Sequence, residues 1–163
     1  AAQHGDALPP AALVSRHTPG GAPRAPLLPQ QMNGMLKGYI DLVFEHEGRY
    51  YVADYKSNWL GPGDADYGAQ ALRQQVLAHR YELQYVLYIF ALHRLLRSRL
   101  PGYDYERHMG GAVYIFLRGH AGPGQGLHLE RPPLVLMDAL DDLFRGIRRP
   151  AKPLPKGQME LDL

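Results

Sequence analysis

Two carboxylates and one ammonium group have a spacing that could do chemistry together: Asp41, then twelve residues, then Asp54-Tyr55-Lys56. If Glu47-Gly48 is a two-residue turn, Asp41 lies opposite Asp54, Val43 opposite Val52 and Tyr39 opposite Lys56. Directly opposed side chains share a face, with Cβ atoms ~5 Å apart, and Lys56, two residues beyond Asp54, points to that face as well. At an effective dielectric of about 20, two such carboxylates repel by roughly 3 kcal/mol, and a divalent cation reverses the sign. A hard cation such as Mg²⁺ takes carboxylate and carbonyl oxygens and keeps several waters. Lys56 beside it can position or deprotonate an attacking water and offset charge on a phosphate. The predicted chemistry is metal-assisted hydrolysis of a phosphodiester. A bulged three-residue turn would shift the pairing by one and leave the carboxylates diagonal, still within reach of one ion. The triplet alone is equally compatible with a surface hairpin carrying scattered charges.

The elements that must position these groups follow from periodicity. Leu36, Gly38, Ile40, Leu42 and Phe44 alternate with Lys37, Tyr39, Asp41, Val43 and Glu45, which predicts a strand, and the aromatic and β-branched run Arg49 to Lys56 predicts its hairpin partner. The core face of that hairpin is expected to be Ile40, Leu42, Phe44, Tyr51, Ala53 and Tyr55. Gly61, Pro62 and Gly63 mark a loop. Helical spacing from about Tyr67 to Leu100 predicts two helices or one broken one, with Leu83, Leu87, Phe90 or Ala91, and Leu95 on a stripe, ending at Pro101-Gly102. Ala112 to Leu117 reads as a buried strand parallel to the second hairpin strand, which makes a strand, helix, strand crossover. A Gly-rich loop follows, then a covering helix from Leu134 to about Ile147. Residues 1–34 are expected to be a Pro/Gly-rich flexible lead-in outside the core, residues 35–147 the domain, and residues 148–163 a frayed tail.

At 163 residues the chain has room for one substantial core. Its 45% hydrophobic and 21% charged content excludes general disorder, collagen-like repeats and a coiled coil. Eighteen basic against sixteen acidic residues give +2, too little to argue for nucleic-acid binding, so any anion site must be local. Arg73, Arg80, Arg94, Arg97 and Arg99, with only Glu82 against them, are either such a site or a solvated helix face. The absence of cysteine removes disulfides, thiol nucleophiles, Cys-ligated zinc and iron–sulfur clusters. No signal pattern or membrane-length apolar run is present, so a soluble, cytoplasmic protein is expected, and the start at Ala1 reads as a piece of something longer.

Three stretches carry a resemblance. Gly38-Tyr39-Ile40-Asp41-Leu42-Val43-Phe44, Tyr51-Val52-Ala53-Asp54-Tyr55-Lys56-Ser57-Asn58-Trp59-Leu60-Gly61 and His79-Arg80-Tyr81-Glu82-Leu83-Gln84-Tyr85-Val86-Leu87-Tyr88 closely resemble the RecB-type C-terminal nuclease domains of exodeoxyribonuclease V beta subunits. The resemblance runs from about Met35 to Ile147 and includes Gly110-Gly111 and Phe116-Leu117-Arg118-Gly119. It implies an α/β fold with the restriction-endonuclease-like mixed sheet of the PD-(D/E)xK core. It also implies a Mg²⁺ ion held by Asp41, Asp54 and the Tyr55 main-chain carbonyl, with Lys56 as the catalytic lysine. Gln84 and Tyr88 fit the family's Gln-x-x-x-Tyr motif and share a helix face; apart from the family they read as ordinary surface residues.

The implied activity is cleavage of single-stranded DNA in double-strand-break repair and recombination, with RecC-like and RecD-like subunits as partners and a surface that helps load RecA. AddB-like relatives hold an iron–sulfur cluster through four cysteines, which this chain lacks. RecB-type domains also carry an upstream metal-shell His on a helix. Neither His4 nor His17 is expected on such a helix, so that His is expected ahead of residue 1, which puts the activity of this piece alone in question. His46, His79, His93, His108, His120 and His128 read as structural or surface residues. The competing reading is a non-catalytic module docking RecA or sister subunits, with an incomplete metal site.

Overall fold

The hairpin forms on the register its turn dictates. Glu47 (φ 51°) and Gly48 (φ 75°) both have positive φ, as a type I′ turn requires, and the twist of that turn matches two paired strands. The computed structural model describes residues 10–17, 39–119 and 125–146. In chain order these form α1 (Pro10–His17), β1 (Leu42–His46), β2 (Arg49–Lys56), a 3₁₀ turn at Asp64–Tyr67, α2 (Ala69–Ala78), α3 (Tyr81–Arg99), the single turn α4 (Tyr105–His108), β3 (Met109–Phe116), β4 (Leu127–Glu130) and α5 (Leu134–Phe144). The strands make one mixed sheet in the order β1-β2-β3-β4. β2 is antiparallel to β1, with Val43 opposite Val52, and parallel to β3, with Asp54 opposite Tyr114.

Several expectations are corrected. β1 begins only at Leu42, because Asp41 leaves the ladder and its carboxylate accepts the Tyr55 N–H at 3.0 Å. Residues 36–38 lie outside the described residues. Most of the expected core face is instead the open one, although Ala53 is buried and Ile40 packs against the core. The helices cover the side bearing Val52, Asp54, Ala112, Tyr114 and Phe116, all buried, while Leu42 and Tyr55 on the opposite side are exposed and Phe44 and Tyr51 only half-buried. Alternation defines two faces but not which one a helix covers; here Tyr114, contributed by β3, makes the charged face the buried one. On α3 the buried apolar residues are Tyr85, Val86, Ile89, Phe90, Leu92 and Leu96; of the expected stripe Phe90 is buried and Leu83 packs against the core, while Leu95 is exposed. That helix is apolar on more than one side, so the spacing allowed two stripes.

Residues 10–17 were expected outside the core. They fold as α1 instead, packing on α3 and α5 with Val14 in the core cluster. Arg80, the left-handed residue (φ 55°) at the break between α2 and α3, donates to Ser15 Oγ at 3.0 Å and ion-pairs with the fully buried Glu82. Three of the five arginines of the basic stretch are thus engaged in ion pairs, Arg80 with Glu82 and both Arg94 and Arg97 with Asp141 of α5, the latter two at 4.0 and 3.2 Å. β4 and α4 were not expected. Both are short, and β4 follows a glycine-rich stretch that reads as loop.

The glycine pair opening β3 has a steric reason. The ladder register shifts between Tyr50 and Tyr51, where Gly111 has φ 130°. A Cβ there would lie 2.6 Å from the Glu130 main-chain oxygen, and one on Gly110 would enter the Tyr51 ring. Only glycine lets β2, β3 and β4 approach at this bulge.

Two histidines are expected to make the fold acid-sensitive. Burial lowers the pKa of His93, with Arg97 acting in the same direction and Asp138 and Asp141 opposing. Burial, then Arg73, lowers that of His128, whose 3.9 Å separation from Glu130 leaves burial dominant. A folded-state pKa below the ordinary 6.5 means the unfolded chain binds protons first, so the stability is complete above 6.5 and is lost as the pH falls toward the lowered values. Glu130, pushed up by burial, acts in the opposite sense within the carboxylate range. The melting temperature is expected to start declining as the pH drops below about 6.5; a flat profile from pH 7.5 to 5.5 would contradict this.

Candidate active site

The last residues of the parallel strands β2 and β3 meet the first half of α3 around the Lys56 ammonium. Lys56 Nζ lies 2.6 Å from Asp54 Oδ2 and donates to Gln84 Oε1 at 3.0 Å. Gln84 Oε1 also accepts from the Tyr114 hydroxyl at 3.0 Å, and Gln84 Nε2 donates to the Tyr88 hydroxyl at 3.0 Å. Tyr88 in turn donates to the main-chain oxygen of Tyr39. The i, i+4 spacing of Gln84 and Tyr88 puts both on the sheet-facing side of α3. One amide thus receives a strand lysine and a strand tyrosine through its oxygen and hands its own hydrogen to the next turn of the helix. Burial, reinforced by the nearby Asp54 charge, raises the pKa of Tyr114 far above its ordinary value, so its hydroxyl remains a donor.

Asp54 is 7% exposed. Its Oδ2, closed off from solvent, is held 2.6 Å from the Lys56 ammonium as an ion pair. Asp41 is exposed, and one of its oxygens is turned to the Tyr55 N–H. Four of the residues singled out in the sequence, Asp54, Lys56, Gln84 and Tyr88, are therefore joined in one polar network, and Asp41 is tied to the same strand through Tyr55. The sequence reading missed Tyr81 and Tyr114. The parallel register of β3 would have revealed Tyr114 opposite Asp54, and Tyr81 stands three residues before Gln84.

The buried Asp54 carboxylate and the exposed Asp41 carboxylate are hard oxygen donors of the kind a divalent cation takes. Among the described residues no three His, Asp or Glu side chains come together as a metal group. His17 does end a helix, but α1 packs on α3 and α5. His79 stacks on Tyr81, His93 meets the Tyr103 hydroxyl and His108 pairs with Asp104; His4 and His120 lie outside the described residues.

The profile of the PD-(D/E)XK nuclease superfamily matches residues 12–162. The chain belongs to that superfamily. Asp41 and Asp54-Tyr55-Lys56 lie within the matched residues. The mixed four-stranded sheet with its helices is consistent with the restriction-endonuclease-like fold of PD-(D/E)XK proteins. Relatives include the RecBCD enzyme subunit RecB of Escherichia coli (strain K12), 51% identical over 137 residues, covering 83% of this chain and 12% of that protein. The RecB subunit of Haemophilus influenzae (strain ATCC 51907 / DSM 11121 / KW20 / Rd) is 49% identical over 116 residues, 71% of this chain and 10% of its own length. That of Mycobacterium tuberculosis (strain ATCC 25618 / H37Rv) is 40% identical over 150 residues, 81% and 14% respectively. This PD-(D/E)XK chain therefore spans about an eighth of the length of these relatives.

Proposed function

We propose that this chain is the divalent-metal-dependent nuclease domain of a RecB-like helicase–nuclease subunit, hydrolysing phosphodiester bonds of single-stranded DNA in double-strand-break repair and recombination. The observation that carries the reading is the nearly buried Asp54 carboxylate ion-paired with the Lys56 ammonium at the carboxyl ends of β2 and β3, where α/β sheets bind their ligands. Asp41, Asp54 and the Tyr55 main-chain carbonyl would hold Mg²⁺, which when bound polarises a phosphate and acidifies water. Lys56 orients the attacking water and meets the negative charge that develops on the phosphate. Gln84 fixes the ammonium, and Tyr88 fixes the amide of Gln84. The new bond joins water oxygen to phosphorus, the bridging phosphorus–oxygen bond breaks, and the departing sugar oxygen ends protonated.

The relatives' name, a RecB subunit of a RecBCD enzyme, supports RecC-like and RecD-like subunits as partners; DNA as the substrate, docking of RecA and a cytoplasmic setting belong to the same proposal. No helix among the described residues is long and apolar enough to cross a membrane. Incubation of a labelled single-stranded oligonucleotide with this chain and with the intact subunit tests the reading. Cutting with Mg²⁺ and none with EDTA is the expected result; no metal-dependent cutting by either protein would leave the docking-module reading in its place.

A further inference from the structure

Polar contacts to Asp54 and Gln84 do not account for everything around the lysine. Lys56 Nζ also stands 4.0 Å from the centroid of the Tyr81 ring and 4.9 Å from that of Tyr114. The two rings are 5.7 Å apart and tilted by 47°, so they form two walls of a corner occupied by the ammonium. The Tyr114 hydroxyl shares its one hydrogen between Gln84 Oε1 and the Tyr81 main-chain oxygen, 2.9 Å away, which ties one wall to the other. Tyr114 is a core residue. Tyr81 is only half-buried, and its own hydroxyl makes one contact, a long 3.4 Å bond from Asn58 Nδ2.

A ring face attracts a cation through its quadrupole, most strongly where water is excluded. The Lys56 side chain is 12% exposed. A lysine stem has four rotatable bonds, and Asp54 and Gln84 constrain only the tip of this one. We propose that Tyr81 is a positioning residue for Lys56: the face of its ring, rather than its hydroxyl, fixes the ammonium between Asp54 and Gln84. This rests on the nuclease reading of the same site for its kinetic consequence, but the placement itself does not require activity.

The test compares Tyr81→Phe, which keeps the ring face, with Tyr81→Leu, which keeps bulk and removes the quadrupole. In lysine-labelled protein, the Lys56 ε-methylene resonance is expected to be shifted upfield by ring currents in the wild type and in Tyr81→Phe, and to return toward the free-lysine position in Tyr81→Leu. Turnover on single-stranded DNA is expected to fall about tenfold in Tyr81→Leu with KM little changed, and to be restored in Tyr81→Phe, in line with the size of an enclosed cation–π contact. Equal losses in the two variants, or an unshifted Lys56 signal in the wild type, would overturn the proposal. If the intact subunit also fails to cut with Tyr81 unchanged while the Lys56 signal behaves as expected, the nuclease reading fails and the placement stands.

Discussion

Asp54→Asn is expected to lower Mg²⁺-dependent DNA cutting about 1,000-fold, roughly 4 kcal/mol of barrier, while the chain still melts cooperatively. Asp54 sits on β2 between β1 and β3, so its backbone has no freedom to bring another oxygen forward. Asparagine keeps the shape but removes the negative charge, and half of its head becomes a donor facing the Lys56 ammonium. Only Asp41 would then offer a carboxylate to the cation, and it is exposed and already engaged by the Tyr55 N–H. Stability is expected to fall by about 1–2 kcal/mol only, because Lys56 keeps Gln84 and its aromatic walls. Parallel rate and melting measurements separate the two effects. Wild-type cutting by Asp54→Asn would place the reacting centre elsewhere.

Lys56→Met produces a different signature. Cutting is expected to drop about 100-fold, the loss typical of one preorganised charge facing a developing anion. Here stability drops as well, by about 3 kcal/mol without divalent ions, because Asp54 keeps its charge in a nearly closed site and loses its one ion-pair partner. Added Mg²⁺ is expected to raise the melting temperature more in Lys56→Met than in the wild type. The deleted ammonium no longer repels the cation, and a ligand that binds only the folded state stabilises in proportion to its affinity. Equal Mg²⁺ responses in the two proteins would show that the ion does not bind beside Lys56.

What the sequence made legible was local. The Glu47-Gly48 turn and the two strand patterns it joins determine the hairpin register, and Val43 meets Val52 as that turn requires. The apolar run from Ala112 forms the parallel partner strand, and the break in the long helical stretch falls at His79–Arg80, where the backbone turns left-handed. Gln84 and Tyr88 came from a family motif, not from their chemistry, because a glutamine and a tyrosine on a helix have no distinctive pattern of their own. Choices that depend on distant residues were not legible. The helix-covered side of the sheet depends on Tyr114 and α3, and Val14 joins the core from a Pro-rich region with no sustained period. Tyr81 matters only once α3 is laid across β2, which brings its ring over Lys56.

The bonds that assemble this centre span long stretches of chain: 28 residues between Lys56 and Gln84, 30 between Gln84 and Tyr114, and 49 between Tyr39 and Tyr88. Each such closure must wait for the crossover and the parallel pairing of β2 with β3, a slow kind of step. A nascent or partly melted polypeptide therefore carries the acids and the lysine without their arrangement. On the proposed nuclease reading, the reacting groups meet only in the completed fold.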